Sequence, residues 1–178
     1  MRLSLELLTQ GRFNNSSDKR IRDYMAEHCR ILAVVGLHGN VFKPHTGTKT
    51  SVIFLQKWNN DKAAGELCPK LDDYPIFFAT MREQSKDNSG DKIFVKRKDL
   101  QTWTDIADAA GSSRVAEPIN RYDATPRDLD EFVLDEHEHL VVKHDLFSHE
   151  LKDGKHTPPG IAEAFVEFAK KEKLSFFQ

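Results

Sequence analysis

The chain has 178 residues, 39% of them hydrophobic, which suffices for one ordinary globular core and does not demand two. No run reaches the roughly 18 apolar residues of a membrane helix, and Met1 is not followed by the pattern of an export signal, so a soluble, cytoplasmic protein is expected. The formal net charge is -2 with a pI near 6.4, a poor overall balance for binding nucleic acid unaided through its phosphates.

The opening Arg2-Leu3-Ser4-Leu5-Glu6-Leu7-Leu8 alternates as a half-buried strand does, although the same leucines would also serve a short helix; strand is the preferred reading. Residues 11–17 form a polar turn whose last serine, Ser17, is an N-cap candidate, and a helix is expected after it. There Ile21, Tyr24, Met25 and His28 fall at i, i+3, i+4 and i+7, which predicts one buried stripe with Arg20, Arg22, Asp23 and Glu27 facing out. Residues 31–37 are continuously apolar and rich in branched side chains, the pattern of a central strand covered on both faces, and residues 51–56 are a second such run. The connection between them, residues 38–50, is long and polar, with Gly39, Pro44 and Gly47 around Val41-Phe42, and loops of that kind often carry function.

Residues 59–73 read as a surface excursion and residues 75–79 as a short edge strand, because Pro75 cannot donate to a ladder. Residues 86–92 look like an exposed turn before Ile93-Phe94-Val95. Asp99 can cap a helix running toward Gly111, with Leu100, Trp103 and Ala107 inward. Thr125-Pro126 and Thr157-Pro158 each place a capping hydroxyl before a first-turn proline, so helices are expected after both, the last carrying Ile161, Phe165 and Phe168.

Charge is unevenly spread. Residues 1–60 hold nine Lys/Arg against four Asp/Glu (+5), and residues 101–178 hold nine against sixteen (-7), so a nucleic-acid partner should meet the N-terminal third. Cys29 and Cys68 are too few and too far apart for a disulfide framework or a zinc site, and both read as thiols. His137, His139, His144, His149 and His156 crowd an acidic segment, but His137-Glu138-His139 lacks the i, i+4 pair of a metalloprotease helix. That segment reads first as a solvated or partner-docking acidic face, with metal binding as the weaker alternative.

Five pieces then fall in one order: Asn14-Asn15-Ser16-Ser17, Arg22-Asp23-Tyr24, the apolar run 31–37, Asn40-Val41-Phe42, and Thr46-Gly47-Thr48-Lys49-Thr50-Ser51 ahead of the run 52–55. In that order and spacing, residues 11–58 resemble the stretch after the catalytic motif in modification (M) subunits of type I restriction-modification systems, which are N6-adenine DNA methyltransferases. Tyr74-Pro75-Ile76-Phe77-Phe78-Ala79 is similar to a later segment of the same subunits. Two positions depart: His38 stands where the family has proline, and Leu7-Leu8-Thr9-Gln10-Gly11 replaces a strand ending in Leu-Pro-x-Gly. Two motifs are missing. Gly36-Leu37-His38-Gly39 lacks the third glycine and following helix of a cofactor loop, and Thr157-Pro158-Pro159-Gly160 lacks the Asn/Asp and the aromatic of the family's Asn-Pro-Pro-Tyr/Phe motif.

The resemblance implies an α/β fold in which residues 1–58 are the C-terminal portion of a Rossmann-like methyltransferase sheet. An irregular α+β and helical extension, 59–178, is expected to pack with it as one compact unit. It assigns to Phe42 the stacking of an extruded target base; the residues alone favour the other reading, in which Phe42 caps the core at a strand end. Lys43, Thr48 and Lys49 suit phosphate contacts, lysine as a point charge and threonine as a small donor, the alternative being a solvated loop. No catalytic residue, metal ligand or cofactor contact is assigned in this chain; S-adenosylmethionine belongs to the intact enzyme. The implied partners are the rest of the M subunit, a specificity subunit and DNA, and a fragment of this kind is expected to be inactive alone. The competing expectation is a stand-alone interaction module that docks through its acidic C-terminal half.

Overall fold

The two continuous apolar runs become neighbouring interior strands of one sheet. In the computed structural model, which describes residues 3–65, 67–100 and 131–174, the first unit comprises Met1–Leu37, Thr48–Met81 and Ala164–Gln178. Its sheet has the order β1-β3-β2-β4, built from β1 (Leu3–Thr9), β2 (Cys29–Gly36), β3 (Thr50–Lys57) and β4 (Phe77–Thr80). β3 runs antiparallel to both β1 and β2, whereas β4 runs parallel to β2. The fold is thus mixed α/β around a four-stranded mixed sheet, and the strand reading of the first residues holds.

Ala33 is paired to Phe54 on one side and Phe77 on the other, so all three share a face. The helix Ile161–Lys171, designated α3, lays Phe165 and Phe168 on that face. Phe165 stands 6.0 Å from Phe54 and 5.5 Å from Phe77, ring centre to ring centre. Leu32, Ala169 and Leu174 close the cluster. Burial of several such side chains contributes roughly 1.5–3 kcal/mol each before entropy is subtracted.

Two further helices lie between β1 and β2. A five-residue helix, α1 (Gln10–Asn14), occupies part of what the sequence presents as a plain turn. A single 3-10 turn, Ser16–Asp18, leads into α2 (Lys19–His28). Ser17 is therefore inside the turn and does not cap; the turn is held instead by Arg12, whose guanidinium pairs with buried Asp18 at 2.7 Å. Arg22 donates to the carbonyls of Arg12 (2.9 Å) and Asn15 (2.8 Å), tying the Arg-Asp-Tyr element to the Asn-Asn-Ser-Ser turn. The predicted stripe on α2 forms but is not buried: Ile21 is 46% and Tyr24 62% exposed. Tyr24 stacks on the His28 ring at 4.1 Å, along the helix and not into the sheet.

The second unit comprises His38–Gly47 and Arg82–Glu163. Its described backbone is linked by isolated bridges, such as Phe94 to Val142 and Lys96 to Phe132, so Ile93-Phe94-Val95 is not a ladder strand of its own. Val95, Val133, Val141 and Leu151 form its core, with Leu100 against it. Residues 97–100 turn helical, and the rest of the helix expected from Asp99 and the one after Thr125-Pro126 lie outside the described residues.

Thr157 does not cap a helix. It is buried, and its hydroxyl accepts the His149 amide at 2.7 Å. α3 begins at Ile161, and its first turn is capped by Glu163, whose carboxylate accepts from the Gly160 amide (2.7 Å), the Ser148 amide (3.0 Å) and the Ser148 hydroxyl (2.9 Å). Burial pushes this carboxyl upward, but those hydrogen bonds outweigh it and hold Glu163 at about 2. Among the described residues no helix is long and apolar enough to cross a membrane, and neither cysteine is in a disulfide.

Candidate functional site

The connection between β2 and β3 is an ordered series of turns. The His38 carbonyl accepts the Val41 amide, the Asn40 carbonyl accepts that of Lys43, and the Phe42 carbonyl accepts that of Thr46, each at 3.1 Å. Phe42 and Lys43 are half-buried within this series, and both belong to the second unit. Lys43 folds over Gly47, where a Cβ would lie 3.4 Å from its ammonium nitrogen. Thr48 and Lys49 are exposed and belong to the first unit, where the Lys49 carbonyl accepts the Gln10 amide at 2.9 Å as β3 begins. The fold therefore groups Phe42 with Lys43 and leaves Thr48 and Lys49 on the approach to β3.

Within the second unit, the turn at 86–91 backs the Phe42 segment. Asn40 donates its side-chain amide to the Lys86 carbonyl (3.1 Å) and to Asn88 Oδ1 (3.3 Å). Lys86 Nζ in return donates to the Lys43 carbonyl at 2.9 Å. Gly90, at φ +102°, lies so close to the Lys43-Pro44 peptide that a Cβ there would stand 2.5 Å from Pro44 Cδ. Asp87 shapes the turn, its Oδ1 accepting the amides of Ser89 (2.9 Å), Gly90 (2.8 Å) and Asp91 (2.9 Å). The composition Asp87-Asn88-Ser89-Gly90 announces a turn, but its attachment to Asn40 and Lys43 spans more than forty positions and has no local signature.

A cavity of about 860 Å³, floored by Val133, Leu134 and Leu151, also lies in the second unit, and neither Phe42 nor Lys43 lines it. Of the five histidines in the acidic segment, His156 lines this cavity and the other four separate into two pairs. His137 and His139 are exposed beside Asp135, whose Oδ1 accepts both of their amides. His144 and His149 bring their Nε2 atoms to 3.0 Å, with Phe147 against both rings. Burial pushes the His144 imidazole below its ordinary value, and neighbouring His149 adds to that, while the Asp145 and Glu163 carboxylates pull part of it back. Among the described residues no three His, Cys, Asp or Glu side chains converge as metal ligands would.

Gly36 and Leu37 pass into the turns at 39–45 without opening a helix. The described residues thus offer no glycine turn at a helix N-terminus there, the feature that would cradle a methyl donor. No curated protein and no solved structure matches the chain. A family model described as N-6 DNA Methylase matches residues 7–139, well over half of the 178 residues and including β2, β3 and the Phe42 turns between them. By the extent of that match, the chain belongs to the N-6 DNA methylase family.

Proposed function

We propose that this chain is the C-terminal portion of the modification subunit of a type I restriction-modification system. In this reading it supplies the later strands of a Rossmann-like methyltransferase sheet, an aromatic platform for the target adenine, and a scaffold for subunit contacts. Its family methylates DNA with S-adenosylmethionine as donor. The donor and the proline-paired catalytic amide belong to the rest of the subunit, so this chain alone does not turn over. Within it Phe42 stacks the extruded adenine, and Lys43, Thr48 and Lys49 meet backbone phosphates. The specificity subunit chooses the site.

The observation that carries the reading is Phe42 itself: half-buried, in a turn series clamped by Asn40 on one side and Lys43 on the other. A ring fully in the core cannot reach a base, and one on a loose loop would lose the stacking energy to ordering entropy. The edge position of β1 adds support: among the described residues its outer edge has no strand partner, and Leu5 (59%) and Leu7 (48%) are exposed, as expected if the sheet continues there. The alternative, docking through an acidic half, draws less support. Among the described residues, two of its carboxylates are already ion-paired, Glu138 with Lys152 and Asp153 with Lys155.

Phe42→Ala in the complete enzyme tests the reading. Loss of stacking is expected to weaken target-base engagement about 5- to 150-fold, the range of ~1–3 kcal/mol, with donor affinity unchanged. A fall in folding stability of about 3–5 kcal/mol instead would make Phe42 a core residue.

A further inference from the structure

We propose that Lys86, with Asn40, is a positioning residue for base extrusion: the 86–91 turn holds Phe42 at the presentation angle, and the Lys86 charge serves the loop backbone, not DNA. This rests on the reading of Phe42 as the stacking residue. Three restraints converge on the four residues 40–43 and their neighbour Pro44. Asn40 is bound through its side chain two positions before Phe42. Lys43 is bound through its carbonyl one position after. Pro44 rests on Gly90, whose missing side chain is what allows the approach.

The chemistry favours this use of Lys86. Its ammonium donates to a carbonyl in a partly buried setting, a charge-assisted bond of the stronger class. What sets Lys86 apart from the lysines proposed to meet phosphate is that its ammonium is already engaged by a loop carbonyl, while its backbone is bridged to Lys92. The Lys86 carbonyl also accepts from Asn40, so both ends of the residue grip the same loop. An aromatic platform gains from such bracing because misplacement of a contact by about 1 Å costs on the order of a hundredfold in a positioned reaction.

The test uses the complete methylase on duplex DNA carrying 2-aminopurine at the target adenine, whose fluorescence rises on extrusion. Lys86→Met is expected to reduce that gain about fivefold, toward the Phe42→Ala level, with the salt slope of DNA binding unchanged and with Lys86→Arg restoring the signal. Asn40→Ala, which removes only neutral bonds, should act in the same direction and replaces Lys86→Met if that variant melts early. A salt slope lowered by about one with the extrusion signal intact would make Lys86 a phosphate contact and overturn the proposal. If Phe42→Ala lowers the signal and neither Lys86→Met nor Asn40→Ala does, the positioning role alone fails. If Phe42→Ala leaves the signal unchanged, the stacking reading fails and takes the positioning role with it.

Discussion

Glu163 holds more of the second unit's geometry than its exposed-looking sequence context suggests. A single carboxylate closes the first turn of α3 and the Ser148 strap at once. Its folded value near 2 lies below the ordinary 4.5, so its contribution is fully present above about 4.5 and is lost as the pH falls toward 2. Urea denaturation at neutral pH should show Glu163→Ala losing about 2 kcal/mol, the scale of a hydrogen bond to a charged group. The variant should also lack the part of the acid transition that lies between those two pH values. His144 works in the opposite chemical sense. Its folded imidazole takes a proton less readily than the ordinary 6.5, so the stability tied to its neutral form is full above that value and declines as the pH drops below it. An NMR titration should place the His144 midpoint below the ordinary 6.5, and a midpoint at or above that value would contradict the burial of the ring beside His149.

At the scale of elements, the parts readable from sequence are those whose pattern is dictated by two-sided burial. The runs around Ala33 and Ile53 are short, continuously apolar and rich in branched side chains, which favours interior strands over buried helix, and they are β2 and β3. Amphipathic spacing likewise finds α2 but not its environment: Ile21 and Tyr24 keep their period and remain exposed. Thr157 shows the limit of local signals. A capping hydroxyl before two prolines is a sound helix start, yet the His149 amide competes for it and the helix begins four residues later with a glutamate cap. Around the candidate site, the long polar connection that carries Phe42 is legible from Gly39, Pro44 and Gly47, whereas the bracing at 86–91 is not, since side-chain bonds between distant segments leave no periodicity. Gly90 is the sharpest test of that bracing. Gly90→Ala would put a Cβ 2.5 Å from Pro44 Cδ at a positive φ, so a loss of roughly 1–3 kcal/mol in denaturant stability is expected. A neutral result would mean that the turn does not support the loop.

Across the whole molecule, the proposed DNA contacts fall where the sequence is basic. The basic excess lies in residues 1–60 and the acidic excess in 101–178, and all four proposed DNA-contacting residues, Phe42, Lys43, Thr48 and Lys49, fall in the basic part. The family match covers both sides of that loop. Among the described residues no glycine turn opens a helix directly after β2, and no Asn-Pro-Pro motif occurs in the sequence. On the proposed reading, the base platform lies here and the methyl donor is held elsewhere in the enzyme. Isothermal titration of these 178 residues with S-adenosylmethionine probes that division most directly. No saturable heat at millimolar donor is predicted, and stoichiometric binding at micromolar concentrations would contradict it.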